Sequence, residues 1–176
     1  MNFTDSSKNR RPSFVRWLLL LLITALPAWV MAAQMKPYKG PTPPLALQDL
    51  HGKTHRLADY KGKVVLVQFW ATYCTPCRRE MPSMNRLLKK MHGKLVILAV
   101  NMGETRKEVE AFTKQVGTEF PVLLDKDGKT LAQWKVFAAP SNFLLDKHGK
   151  IRYTLFGGVD WDSDAMVAFL DKLAEQ

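Results

Sequence analysis

The sequence predicts an α/β domain built on a mixed β-sheet with helices on both of its faces. Two runs that are apolar except for Gln68, at 64–70 and 95–100, have the length and the β-branched content of strands that are covered on both sides. Between and after these runs, apolar residues recur at the three- and four-residue spacing of amphipathic helices. Because strands and helices alternate along the chain, the pattern indicates a layered α/β arrangement.

The elements can be placed in order along the chain. A β-hairpin comes first, with strands at 45–50 and 54–57 around a His-Gly-Lys turn. The helix after the first apolar run extends from Cys74 to about His92, since its apolar residues repeat with the helical period. The remaining predicted elements are a strand at 95–100, a helix over 109–116, a strand at 120–124, a short helix, strands at 142–146 and 151–156, and a last helix from about Ser163.

The first 33 residues have the features of an export sequence. A basic stretch from Lys8 to Arg16 is followed by a leucine-rich apolar run and by small residues at Ala32 and Ala33. The same run carries no charge over residues 17–35, which is long enough for a membrane anchor that is never cleaved. Both interpretations place the rest of the chain in a bacterial periplasm, either soluble or anchored to the inner membrane by residues 17–35.

Three parts are therefore expected: a signal peptide or membrane anchor at 1–33, a linker at 34–44 and one domain at 45–176. The linker is rich in proline, glycine and lysine. The formal net charge is +10, but the lysines and arginines are scattered and form neither a basic stripe nor a known nucleic-acid-binding motif. We expect a basic, solvated surface and no nucleic-acid binding, with a preference for acidic partners as the alternative.

Cys74 and Cys77 are the only two cysteines, and they enclose Thr75 and Pro76. A bridge between them would close a very short loop and remove little entropy from the unfolded chain, so chemistry explains the pair better than stapling does. Cys74 follows the strand at 64–70 by a short loop and should begin the next helix, where free N–H groups and the helix dipole stabilise a thiolate. Pro76 fits a first helical turn. The spacing predicts a nucleophile at Cys74 and a resolving thiol at Cys77, with no organic cofactor because the sulfurs carry the electrons.

Residues 70–82, W-A-T-Y-C-T-P-C-R-R-E-M-P, resemble the active-site signature of the thioredoxin superfamily. They are most similar to the membrane-anchored bacterial thiol–disulfide oxidoreductases of the TlpA/ResA type. Residues 138–146, A-A-P-S-N-F-L-L-D, resemble the loop that carries a cis-proline in the same family. The resemblance covers about 45–176 and implies a thioredoxin fold, a central mixed sheet flanked by helices, with an added N-terminal β-hairpin. It also implies an enzyme of the protein-disulfide reductase type, with oxidation of client thiols as the reverse direction that the residues leave open. A reductase would need a membrane electron-relay protein as its donor, and apo-cytochrome c is one expected client.

The resemblance also assigns roles to residues near the cysteines. It implies a cis bond between Ala139 and Pro140 that packs against the pair, the alternative being an ordinary trans-proline before a strand. Tyr73, which stands where tryptophan is more usual, joins Thr75 and Pro76 in the expected partner-binding surface.

Glu80 matches an acidic residue that influences the thiols in relatives acting in cytochrome c maturation. Such a carboxylate can take the Cys77 proton and raise thiol pKa values, and the alternative is a solvated helix glutamate. Gln68 departs from the buried aspartate of thioredoxin and cannot ionise, which leaves proton transfer to Glu80 or water. Trp161 receives no role.

Three other functions remain open at this stage. A peroxiredoxin-type peroxidase shares the fold, although that class sets its cysteine in a different motif. A copper carrier related to the fold would need a wider cysteine spacing and a distal histidine. A structural zinc site would need further ligands from His51, His55, His92 or His148, none of which lies beside another cysteine pair. We expect no metal.

Overall fold

The computed structural model describes residues 35–176, and a six-stranded mixed β-sheet forms their centre. The strands are β1 (Met35–Pro37), β2 (Ala46–Gln48), β3 (Thr54–Arg56), β4 (Val64–Trp70), β5 (Leu95–Asn101), β6 (Val122–Leu124), β7 (Ser141–Leu145) and β8 (Ile151–Phe156). The helices are α1 (Thr75–Lys90), α2 (Arg106–Val116), α3 (Lys129–Gln133) and α4 (Asp164–Glu175), with a 3₁₀ turn at Leu57–Tyr60.

The six strands lie in the order β1-β8-β7-β4-β5-β6, and β2 pairs with β3 in a separate hairpin. β4 and β6 each run parallel to β5, whereas β7, β8 and β1 are joined by antiparallel pairs. A mixed sheet with helices and an added hairpin is therefore confirmed.

The core consists of two apolar clusters, one on each face of the sheet. Alternate residues of β4 point to opposite faces, because side chains alternate along a strand. Val64, Leu66 and Trp70 pack with α1 and α4 in the cluster that also contains both cysteines. Val65, Val67 and Phe69 pack in the other cluster. Every residue of β4 is buried, as expected for a strand at the centre of the sheet.

The segment predicted as a linker at 34–44 begins with a strand in the structure. Met35–Pro37 pairs with β8 at the edge of the sheet, and the Tyr38 N–H donates to the Arg152 carbonyl at 2.8 Å. Proline lacks an N–H and is tolerated on an edge strand, so the composition of a linker did not reveal this pairing. The predicted signal peptide or anchor at 1–33 lies outside the described residues. Within residues 35–176, no helix is both long enough and apolar enough to cross a bilayer.

Candidate active site

Cys74 and Cys77 lie at the start of α1 and are joined by a disulfide, with their Cα atoms 5.3 Å apart. Cys74 is the residue that caps the helix, and its Sγ accepts the Cys77 N–H at 3.3 Å. Cys74 is 7% exposed, whereas Cys77 is fully buried. An approaching partner can therefore reach the first sulfur but not the second.

The first turn of α1 places exposed and positively charged side chains next to the two cysteines. Thr75 and Pro76 are exposed, and the proline occupies a position where no helical N–H is required. Arg78 and Arg79 are also exposed, and the Arg78 guanidinium lies 5.3 Å from the centre of the Phe112 ring. The unpaired N–H groups and the dipole of the helix add to this positive potential, which favours a thiolate at Cys74.

The loop between β4 and α1 is held by Glu104, a residue that the sequence did not single out. The Thr72 N–H donates to Glu104 Oε2 at 2.7 Å, and the Thr72 hydroxyl donates to Oε1. Asn101 Nδ2 donates to the same carboxylate at 2.7 Å. This network fixes the residue before Tyr73, whose ring is 76% exposed beside the cysteines.

The second loop of the site carries Pro140, and the Ala139–Pro140 peptide bond is cis. Pro140 is buried, and its carbonyl accepts the Gly157 N–H at 3.3 Å. Ala139 packs against the apolar cluster that contains Cys74 and Cys77, on the same face of the sheet. Phe137, three residues before the proline, is 92% exposed.

Glu80 is buried on α1, three residues after Cys77, with 2% of its surface exposed. Its Oε2 accepts the Val159 N–H at 2.9 Å and the Trp161 Nε1–H at 3.2 Å, and its Oε1 accepts a hydrogen bond from Gln68 Nε2. Burial raises the pKa of Glu80 to about 7, against the opposing effect of the three hydrogen bonds. The alternative of a solvated helix glutamate does not describe this residue.

Two of these partners were missed by sequence reasoning. Gln68 was treated only as a missing acid, but its amide contacts Glu80 from the neighbouring strand. Trp161 was given no role, yet it is fully buried and donates to the same carboxylate. Neither contact has a signal in the sequence, since both partners are distant from Glu80 along the chain.

A cavity of about 440 Å³ opens between the first turns of α1 and the loop after β8, with Pro76, Glu80 and Gly158 in its wall. The exposed side chains of Arg79, Arg86 and Asp160 also line it. The cavity therefore joins the buried Glu80 carboxylate to a charged, solvent-exposed surface. Among residues 35–176, no three His, Cys, Asp or Glu side chains are grouped as ligands of a metal would be.

A pair of cysteines joined at a helix start, one reachable and one buried, exchanges its disulfide with the thiols of another molecule. The fold and the site thus define a thiol–disulfide oxidoreductase. A sequence model of the AhpC/TSA family matches residues 39–154, and the chain belongs to that family. Within it, the chain belongs with the ResA-type thiol–disulfide oxidoreductases, as its relatives show.

Thiol-disulfide oxidoreductase ResA of Geobacillus thermodenitrificans is 39% identical over 157 residues, which are 85% of this chain and 90% of that protein. ResA of Bacillus subtilis is 38% identical over 151 residues, 82% of this chain and 84% of that protein. A crystal structure provisionally assigned as the thiol:disulfide interchange protein DsbE of Chlorobium tepidum superposes with a TM-score of 0.71 at 31% identity, covering 79% of this chain and 99% of that one. The thioredoxin-like fold and the oxidoreductase activity are confirmed.

Proposed function

We propose that the protein reduces disulfides of other proteins outside the cytoplasm, with Cys74 as nucleophile and Cys77 as resolving thiol. The Cys74 thiolate attacks a client disulfide, forms a mixed disulfide and releases one client thiolate. The Cys77 sulfur then attacks Cys74, which releases the second client thiolate and leaves the Cys74–Cys77 disulfide of the structure. Two electrons pass to the client, and the cysteine pair is oxidised.

The unequal exposure of the two sulfurs is the observation that carries this proposal. Cys74 keeps 7% of its surface exposed at the helix start, and Cys77 is completely covered. A client can form a mixed disulfide only with Cys74, and Cys77 is then three residues away, in position to resolve it. The Cys77 N–H and the helix dipole stabilise the Cys74 thiolate that begins the reaction.

Glu80 takes the proton of Cys77 in this mechanism. Because Cys77 is buried, its proton has no direct path to bulk water. Glu80 lies on the same helical face, and its pKa of about 7 leaves it partly ionised at neutral pH, which suits a proton acceptor. The cavity in whose wall Glu80 lies offers the proton a way to solvent.

The client-binding surface in this proposal is formed by the two loops at the disulfide. Tyr73, Thr75 and Pro76 supply exposed side chains on one side. On the other side, the backbone of Ala139 would pair with an extended client segment, as a strand adds to a sheet edge, while Pro140 holds the loop through its carbonyl bond to Gly157.

Apo-cytochrome c is the client that we propose, because its haem-attachment cysteines must be reduced before haem is attached. A membrane protein that carries electrons outward would serve as donor, since an exported domain has no access to cytoplasmic reductants. Residues 1–33 would direct export, as a cleaved signal peptide or as an anchor over 17–35. The segment 34–44 would then lead into the domain at 45–176, and its residues Met35–Pro37 already pair with β8. Amino-terminal sequencing of the protein from membrane and periplasmic fractions distinguishes cleavage from anchoring.

Trapping of mixed disulfides tests the proposed function. Cys77→Ala should accumulate adducts with client proteins in cells, because the nucleophile still attacks but resolution is lost. Mass spectrometry of the adducts identifies the clients, and a purified apo-cytochrome c peptide with both cysteines oxidised gives the same adduct in vitro. Adducts that persist in a Cys74→Ser, Cys77→Ala double variant would contradict the role of Cys74.

Hydrogen peroxide is the informative competing substrate, given the family match. The proposal expects fast reduction of a protein disulfide and slow reaction of the reduced protein with peroxide. Peroxide turnover faster than disulfide turnover would favour a peroxidase instead.

A further inference from the structure

The geometry points to Trp161 and Gln68 as positioning residues for proton transfer at Cys77. Each donates a hydrogen bond to a different oxygen of Glu80, so together they fix the orientation of the carboxylate and its readiness to take a proton. This inference rests on the proposed role of Glu80.

The two side chains reach Glu80 from different elements of the fold. Gln68 projects from β4 and donates to Oε1, whereas Trp161 comes from the loop between β8 and α4 and donates to Oε2. The third donor, the Val159 N–H, is backbone and is present whatever side chain stands there. The orientation of the carboxylate therefore depends on two residues that can be changed.

Burial makes these hydrogen bonds strong contributors to the charge state of Glu80. Gln68 and Trp161 are both fully buried, and a hydrogen bond in such surroundings is electrostatically stronger than one in water. Both donors favour the ionised carboxylate and oppose the burial that raises the pKa of Glu80. Loss of either donor should make Glu80 bind its proton more tightly and leave less of it ionised at neutral pH.

The other titratable groups around Glu80 are few. Cys77 lies on the same helix, and Arg79, Arg86 and Asp160 line the cavity at its exposed side. Arg86 is paired with Asp162 through two hydrogen bonds of 2.8 and 2.9 Å. The groups that contact the carboxylate directly belong to Gln68, Val159 and Trp161, and none of them is ionisable. A shift in the pKa of Glu80 when Gln68 or Trp161 is changed therefore reports the loss of a hydrogen bond.

The tests use Trp161→Phe and Gln68→Leu, which remove the donors and keep most of the apolar volume. The backbone N–H of residue 161, which donates to Ser83 Oγ at 3.1 Å, is retained. Gln68 Oε1 is buried without a hydrogen-bond partner among the described residues, so Gln68→Leu also removes an unsatisfied acceptor and should fold. Trp70→Phe is the matched control, because Trp70 is buried and its Nε1 has no partner among residues 35–176.

The reaction of the reduced protein with 5,5′-dithiobis(2-nitrobenzoate) isolates the step at Cys77. The Cys74 thiolate first displaces one thionitrobenzoate and forms a mixed disulfide. Cys77 then loses its proton, attacks Cys74 and displaces the second thionitrobenzoate, so the second release reports resolution. We expect each variant to move the midpoint of the pH profile of the second release upward, with a rate at pH 7 about threefold to tenfold lower than that of the unchanged protein. The rate at high pH should stay within about twofold, and Trp70→Phe should leave the profile unchanged.

A direct titration complements the kinetics. The Glu80 carboxyl carbon, followed by NMR in the oxidised protein, should titrate at higher pH in both variants than in the unchanged protein. Unchanged midpoints in both measurements would overturn the inference. Glu80→Gln separates the role of Glu80 as proton acceptor from the positioning role of its two partners. If this variant leaves the pH profile of the second release intact, the proposed role of Glu80 itself fails. If it removes the ionisation near pH 7 from the profile while Trp161→Phe and Gln68→Leu have no effect, only the positioning role fails.

Discussion

Glu80 is a carboxylate placed in the core among neutral hydrogen-bond donors, and no lysine, arginine or histidine of residues 35–176 forms an ion pair with it. Burial raises the pKa of Glu80 from the ordinary value of 4.5 to about 7 in the folded protein. Between these two values the folded protein holds a proton that the unfolded chain releases. The contribution of this group to stability is therefore present below about pH 4.5 and is lost as the pH rises through about 7.

Glu80→Gln should remove this pH dependence from the oxidised protein. The new amide can accept from Val159 and Trp161, and the Gln68 amide can turn its free Oε1 toward the new donor. A tenfold difference in proton affinity between the folded and unfolded states corresponds to about 1.4 kcal/mol. The unfolding free energy of the unchanged protein should therefore fall by about 3 kcal/mol more than that of the variant between about pH 4.5 and about pH 8. Urea unfolding across this range measures the difference, and parallel curves for the two proteins would contradict it.

The residues that sequence reasoning located are those that helix geometry places together. Cys74, Cys77 and Glu80 belong to one helix start, so their spacing already fixes their relation. Gln68 and Trp161 are 12 and 81 residues from Glu80, and only the packing of β4 and of the loop after β8 against α1 brings them to it. A glutamine in an apolar strand and a tryptophan in a loop are compatible with many environments, so their sequence positions could not indicate this one.

At the scale of elements, the loop between β8 and α4 touches the first turn of α1. A Cβ added to Gly158 would lie 3.3 Å from the Cβ of Pro76, closer than ordinary contact allows. The neighbouring Val159 N–H donates to Glu80, so the same loop touches both the cysteine motif and the proposed proton acceptor. Glycine is therefore needed at 158 for close approach and not for an unusual backbone angle.

Gly158→Ala should push this loop away from Pro76 and lengthen the hydrogen bond from Val159 to Glu80. We expect the second release from 5,5′-dithiobis(2-nitrobenzoate) to slow by about threefold, since small displacements at a reacting site reduce rates strongly. Gly149→Ala is the control, because Gly149 has a positive φ of 77° in the β7–β8 turn and open space around it. The control should lose about 1 kcal/mol of stability and keep its rate. Equal rates for both variants would show that the close approach has no effect on exchange.

The elements themselves were predictable in proportion to their length and burial. β4 and β5 are continuous apolar runs, and their bounds match the prediction almost to the residue. β1 has three residues in a segment of linker composition, and its pairing with β8 depends on an edge that only the folded sheet provides. Local pattern carries no information about such an edge.

At the scale of the whole molecule, the hairpin of β2 and β3 is joined to the sheet beside β6. Asp49 forms a bridge with Leu123, and the Leu50 N–H donates to the Val122 carbonyl at 3.2 Å. Arg106 of α2 donates to the Leu50 carbonyl, and Trp134 Nε1 donates to the Pro44 carbonyl at 3.0 Å. The hairpin thus covers part of the open edge of β6, and an edge covered in this way is protected from pairing with other chains.

The hairpin is itself held by a polar group of three residues, of which Asp49 and His55 are buried and Tyr60 is half-buried. His55 Nε2 donates to Asp49 Oδ2 at 2.8 Å, and the Tyr60 hydroxyl is hydrogen-bonded to His55 Nδ1. Burial would raise the pKa of Asp49, but the hydrogen bonds from His55 and from the backbone of His51 and Lys53 outweigh it and lower the value. The stabilisation from Asp49 is therefore present above its ordinary value of 3.8 and is lost as the pH falls below it.

His55→Ala should destabilise the whole domain and not the hairpin alone. The change leaves the buried Asp49 and the half-buried Tyr60 without their common partner, which costs about 2 to 3 kcal/mol. The hairpin and the residue before it are hydrogen-bonded to β6, to α2 and to Trp134. Urea unfolding should therefore shift to a lower midpoint as a single transition with an unchanged slope. Gln48→Ala, on an exposed position of the same hairpin, should move the midpoint little. Two separate transitions in the His55 variant would instead show a hairpin that unfolds independently of the sheet, and an unchanged midpoint would show that the three-residue group contributes nothing to stability.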